Sequence, residues 1–310
     1  MTQTANHDAS QTSGRNEAPN EARAAAAAMP AASAAATGMP RHHAAIFLAL
    51  LAVGLVAPFF LYPVFLMKVM CFALFACAFN LLLGYTGLLS FGHAAYFGFA
   101  SYSCAHAAKV WGLPPELAIL AGVAAACVLS LAIGALAIRR QGIYFAMVTL
   151  AFAQMVFFFS LQAPFTGGED GIQAVPRGTL FGVLDLRSDF TLYFVVLAIT
   201  FAGLLAIHRI IHSPFGQVLK AIRENEARAT SLGYRVNRYK LATFVLSAGL
   251  AGLAGATKAI VFQLASLTDV HWSMSGEVVL MTLIGGMGTV FGPIVGAAVI
   301  ENEKLTADNA

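Results

Sequence analysis

The chain has 310 residues, of which 59% are hydrophobic and only 11% charged, with a mean hydropathy of +0.75. Soluble domains carry about 25% charged residues, so too little polar surface is present to cover a water-soluble fold of this length, which excludes an ordinary soluble enzyme and a disordered regulator. The net charge of +3 is too small to point to nucleic acid, and a polytopic membrane protein remains.

Residues 1–43 begin polar, turn Ala-rich and contain no Leu, Ile, Val or Phe. They cannot bury enough apolar surface to fold alone and read as a disordered segment. Charge-free stretches then supply spans of about 20 residues. The first is 44–62, ended by Pro63. Residues 69–108 hold no Asp, Glu, Lys or Arg and give two spans around a break at Gly84-Tyr85-Thr86-Gly87. The rest are 117–138, 142–161, 190–208, 241–257 and 278–300. The segments are too long for barrel strands, and backbone groups in lipid must pair within their own segment, so helices follow. The reading is all-α with about eight transmembrane helices in region 44–300, followed by a polar tail, 301–310. The cysteines, Cys71, Cys77, Cys104 and Cys127, lie inside apolar runs without metal-site spacing and read as small core hydrophobes. No metal or other cofactor is expected.

Lys and Arg in short loops set orientation. Arg139 and Arg140 sit in one connection. Loop 212–240 carries six basic residues against two acidic, a net +4, whereas loop 164–189 has a net −2. Residues 139–141 and 212–240 are therefore expected in the cytoplasm and 164–189 outside, with a cytoplasmic N-terminus. Glu116 and Glu277 fall at span starts, where a carboxylate suits a helix N-terminus. Lys68 and Lys109 fall near span ends and can snorkel. No carboxylate is read in mid-membrane, which disfavours an ion-coupled secondary carrier.

Two Gly-rich segments interrupt the apolar runs, Gly84 to His93 and Gly285 to Pro293, in opposite halves of the chain. Paired breaks point to a transport path, because exposed backbone groups can meet a polar solute there. For Gly285, Gly286, Gly288, Gly292, Pro293 and Gly296 close helix packing is the favoured role, since Gly288, Gly292 and Gly296 repeat every four residues. Asn80 is costly in hydrocarbon and should face protein or a water-filled cavity. His93 either titrates or binds solute in the path, or bonds a neighbouring carbonyl or hydroxyl; the second is favoured. In 212–240, Pro214 starts a helical stretch and Gly233 is placed to stop one; a docking helix and a solvated loop remain open.

The blocks Asn80 to Gly98 (NLLLGYTGLLSFGHAAYFG), Gly142 to Leu150, Thr166 to Ile172, Ser213 to Lys240 and Gly285 to Gly296 resemble, in order and spacing, the LivM-type permease subunit of bacterial ABC importers for branched-chain amino acids. The resemblance implies import of leucine, isoleucine or valine across the inner membrane, with urea or short amides as the alternative cargo. It implies a sister permease of the LivH type, two cytoplasmic ATPases of the LivG and LivF types and a periplasmic amino-acid-binding protein. It makes 212–240 a coupling loop, with Arg223, Glu224, Glu226, Ala227 and Gly233 facing the ATPase. Asn80, Gly84, Tyr85, Gly87, Ser90, His93, Thr166, Gly167 and Gly168 are then the candidate path. No GxxxxGK[ST] occurs, so ATP hydrolysis is expected on separate subunits and this chain is not expected to be an enzyme. Where the family pattern has further apolar sequence after the Gly-rich span, residues 301–310 are polar, and the final family helix is expected to be missing.

Overall fold

The computed structural model describes residues 41–308 except 181 and 183; residues 1–40, and with them most of the expected disordered segment, lie outside the described residues. The chain divides into two units at Leu50–Leu51. Helix α1 (Arg41–Val56) runs across that boundary, and everything below concerns the second unit.

Ten further α-helices follow among the described residues: α2 (Pro63–Thr86), α3 (His93–Lys109), α4 (Pro115–Ala137), α5 (Ile143–Gln162), α6 (Asp189–His212), α7 (Pro214–Glu224), α8 (Glu226–Ser231), α9 (Val236–Phe262), α10 (Trp272–Gly285) and α11 (Gly292–Asp308). Five of them, α2, α4, α5, α6 and α9, are long and apolar enough to cross a membrane. The fold is all-α and polytopic, as the charge-free runs require. Short strands decorate the loops: β1 (Ile172–Gln173) pairs antiparallel with β4 (Leu264–Ala265), and β2 (Thr179–Leu180) with β3 (Leu184–Asp185).

One expected span is corrected. Residues 278–300 are not one helix: α10 ends at Gly285 and α11 restarts at Gly292. Gly286 and Gly288 between them adopt φ of 97° and 77°, a region that glycine enters at no steric cost, so the helical hydrogen-bond ladder is cut. The tail is also reassigned. Residues 301–308 continue α11 and carry a buried ion pair described below.

The buried centre is α3 with α2 and α9. Helix α9 packs on α2, α3 and α4, while α6 and α11 flank α2. Small residues allow this approach. A Cβ on Gly122 of α4 would fall 2.7 Å from the Ala100 carbonyl oxygen, and one on Gly252 of α9 would fall 2.6 Å from the Ala126 Cβ.

The two ends of this bundle carry different loops. At one end Gln141 Nε2 donates to Glu226 Oε1 (3.2 Å), which gathers the 139–142 connection, α7 and α8. At the other, Lys109 Nζ donates to the Gln173 carbonyl (2.8 Å) and Arg177 bridges the Val261 carbonyl (2.9 Å) and Asp189 (2.7 Å), which gathers loop 163–189 and the turn after α9.

Candidate functional site

The first glycine break caps α2. Gly87 sits at φ 75° and its N–H reaches the Leu83 carbonyl (3.1 Å), while the Leu88 N–H reaches Leu82 (3.3 Å). These bonds satisfy carbonyls that the helix end leaves open. Ser90 Oγ accepts from the Gly92 N–H (3.2 Å), and the Phe91 N–H donates to Thr149 Oγ1 (3.2 Å). Helix α3 then starts at His93.

The second break closes on itself. Thr289 Oγ1 donates to the Gly286 carbonyl (2.8 Å) and accepts from the Gly292 N–H (3.2 Å). Asn80 holds the two breaks together. Its Nδ2 donates to the Thr289 carbonyl (2.7 Å) and its Oδ1 accepts from the Gly288 N–H (2.9 Å). One buried amide thus serves a donor and an acceptor that the broken helix orphaned. The contact is close: a Cβ on Gly84 would fall 2.6 Å from the Gly288 nitrogen. Gly292 and Gly285 abut backbone to backbone, and Gly296 sits against the Met281 carbonyl.

The amphipathic α7 reaches both breaks. Ser213 accepts from the Gly216 N–H (3.4 Å) at its N-terminus and Pro214 opens the first turn, an arrangement that starts helices. Gly216, Leu219 and Ile222 form its buried face, and Ile222 clusters with Ala229 and Val236. Beside that face Arg223 donates from Nη1 to the Gly84 carbonyl. A Cβ on Gly87 would lie 3.3 Å from Arg223 Cγ, and one on Gly288 would lie 3.2 Å from Arg223 Nη1. One turn earlier, the Lys220 ammonium stands 5.9 Å from the centre of the Tyr85 ring.

The short α8 is anchored differently. Asn225 Oδ1 accepts from the Arg228 N–H (2.9 Å) to cap it. Glu226 pairs with Lys240 of α9 at 2.8 Å. Gly233 turns the chain at φ 88° with open space around it, while Glu224, Ala227 and Leu232 are exposed. Of the residues expected to couple, Arg223 and Glu226 grip the transmembrane helices and Glu224, Ala227 and Gly233 lie on the outer surface.

The candidate path residues divide. Asn80, Gly84, Tyr85 and Gly87 lie together with the 286–289 turn and Arg223. His93 is buried and shares a hydrogen bond of 2.9 Å with Ser247 Oγ, inside a ring of Phe79, Tyr96 and Phe244; this is the hydroxyl-bonded reading of that histidine. Thr166, Gly167 and Gly168 lie at the opposite end of the bundle. There Thr166 Oγ1 lies 2.6 Å from both the Ser160 and Ala163 carbonyls, and Gly167 and Gly168 turn the chain at φ 79° and 63°.

Two charged sets escaped the sequence reading. Lys258 of α9 pairs with the buried Asp269. Lys68 of α2 pairs with the fully buried Glu301 of α11 at 2.8 Å. The charge-free run stops at Ile300, but the helix does not, because Lys68 and Lys304 supply partners. The usable signal was Lys68, a lone cation inside an apolar stretch.

A family profile described as the permease component of the branched-chain amino acid transport system matches residues 61–304. The chain belongs to this family. The chain is 30% identical over 255 residues to the high-affinity branched-chain amino acid transport system permease protein LivM of Salmonella typhimurium, and equally to that of Escherichia coli. Each match covers 74% of this chain and 60% of the relative, so the chain spans less than two thirds of their length. A probable LivM of Methanocaldococcus jannaschii is 28% identical over 121 residues, covering 37% of this chain and 33% of the relative. No solved structure matches the chain.

Proposed function

We propose that this permease is a pathway subunit of an ABC importer that moves leucine, isoleucine and valine across the bacterial inner membrane. A sister permease of the LivH type completes the pathway, two ATPases of the LivG and LivF types dock on α7 and α8 from the cytoplasm, and a periplasmic binding protein delivers the amino acid. Family membership and the printed names of the relatives support the substrate; the positive loops 139–141 and 212–240 support the sidedness.

The observation that carries the reading is Arg223. A helix outside the transmembrane bundle, rooted by Leu219 and Ile222, puts one guanidinium on the carbonyl of Gly84 and beside Gly288. A push on α7 therefore arrives at both glycine breaks at once. ATP-driven closure of the ATPases shifts α7, and the breaks, clamped by Asn80, exchange between two arrangements. Affinity purification from detergent with mass spectrometry tests the assembly. Recovery of two ATPases and a sister permease is the expected result; a lone chain with proton-driven uptake contradicts it.

A further inference from the structure

Glu226, the carboxylate expected to face the ATPase, is committed within the chain: Lys240 holds it at 2.8 Å and Gln141 at 3.2 Å. What is left facing outward at this end is basic. Arg139 and Arg140 before α5, Arg228 on α8, and Arg235 and Arg238 at the start of α9 are all exposed. None of the five pairs with a carboxylate among the described residues. Against them, within 139–142 and 213–238, stands one exposed carboxylate, Glu224.

Two apolar side chains stand among these charges. Leu232 is 70% exposed and Tyr234 40%, on either side of the Gly233 turn. Beside them opens a cavity of about 500 Å³, lined by Gln141, Thr230, Tyr234, Arg235, Asn237 and Arg238, with Glu226 reaching it from its pair with Lys240. Basic residues alone suffice to orient a chain in the membrane, but that task needs neither a projecting leucine nor a hollow lined by hydrogen-bond donors. An apolar knob within a rim of polar side chains is the make-up of a protein-binding surface, where Arg and Tyr are over-represented. Five like charges also repel one another, and a partner of opposite sign relieves that repulsion.

We propose that the ATPase face docking here is acidic: a cluster of Asp and Glu around an apolar socket. The socket takes Leu232, and a carboxylate of the partner enters the cavity between Arg235 and Arg238, where guanidinium-to-carboxylate hydrogen bonds are the strong kind. Arg139, Arg140 and Arg228 form the rim, which steers encounter and fixes register more than it adds affinity. The charge that recognises the ATPase is thus arginine, while Glu226 serves the fold of the loop. The proposal rests on the importer reading and deepens it by naming the chemistry of the partner's surface.

The test is the rate at which the purified ATPases associate with the membrane subunits, this chain and its sister permease in nanodiscs, as salt is varied. ATP-dependent leucine uptake by the reassembled wild-type importer is measured first, and its absence defeats the importer reading and this proposal together. With uptake present, the association rate is expected to fall about tenfold or more between about 0.05 M and 0.5 M salt. In the double variant Arg235→Glu, Arg238→Glu, low-salt association is expected to fall about tenfold and its salt dependence to flatten, which assigns the effect to this chain rather than to the sister permease. Lys at both positions is expected to restore most of the rate. Leu232→Ala is expected to leave association unchanged and to speed dissociation about tenfold at every salt concentration. Wild-type association indifferent to salt, or a double variant that binds as the wild type does, overturns the acidic partner while the importer stands. So does a double variant that keeps its ATPases but loses affinity for phosphatidylglycerol vesicles, which makes the arginines a lipid contact. Thermal melting in detergent runs alongside; if the Glu variant melts early, Gln at both positions replaces it, and a salt dependence as steep as that of the wild type overturns the proposal.

Discussion

Asn80 and Arg223 carry unequal kinds of load. Asn80 is buried, and both halves of its amide are spent on the 286–289 turn. Asn80→Leu strands the Gly288 N–H and the Thr289 carbonyl without partners, and a buried unsatisfied group costs about 1–3 kcal/mol. The expected outcome is a lower melting temperature in detergent, whether or not ATP is present. Arg223 reaches a carbonyl that Gly87 and Leu88 do not serve, from an exposed position on α7, so its loss should spare folding and damage coupling. Glu226→Arg sets a cation against Lys240, which now lies 2.8 Å from the carboxylate. It is expected to abolish uptake while the protein still inserts, and quantitation of the variant in membranes beside leucine uptake checks both halves. Asn80 was readable as a polar side chain that needed a protein partner; its partners, more than 200 residues away, were not. Helices apolar on all sides carry no periodicity that fixes which faces meet.

Among the elements, α9 has little room to change where it meets α3. A Cβ on Gly255 would overlap the Phe97 backbone carbonyl of α3, which cannot rotate away as a side chain does, whereas a Cβ on Gly276 of α10 meets nothing within 4 Å. Gly255→Ala is expected to destabilise by about 1–3 kcal/mol, the cost of overpacking. Gly276→Ala is expected to be neutral or stabilising by up to about 1 kcal/mol, since Ala is the better helix former. Thermal melts of the two variants side by side check the contrast; equal loss of stability would mean that α3 and α9 do not pack as described. The boundary at Gly87 was legible because a left-handed cap after an apolar run calls for glycine. The split of 278–300 was less so: the same glycines suit close packing within one span, and only the φ values at Gly286 and Gly288 separate a break from a seam. The continuation of α11 through Glu301 was hidden because a charged residue after Ile300 normally marks a span end, and the cation that pairs with it, Lys68, lies far away in sequence.

At the scale of the whole molecule, the two glycine breaks, Asn80 and α7 lie together at one end of the bundle, and Thr166, Gly167 and Gly168 lie at the far end. Composition and charge placement made the long apolar helices readable, because charge is expensive in lipid wherever it falls. They did not reveal that the expected path residues belong to opposite ends. That division depends on which way each helix runs through the bundle and on the pairing of β1 with β4, neither of which local sequence encodes. The central claim is that Arg223 transmits the motion of α7 to the breaks. The most direct measurement is the number of leucine molecules imported per ATP hydrolysed in proteoliposomes holding the complete importer. Arg223→Ala removes a charge-assisted hydrogen bond worth about 1.5–3 kcal/mol. ATP hydrolysis is expected to continue while leucine imported per ATP falls by about tenfold or more; an Arg223→Ala importer with the wild-type ratio contradicts the claim.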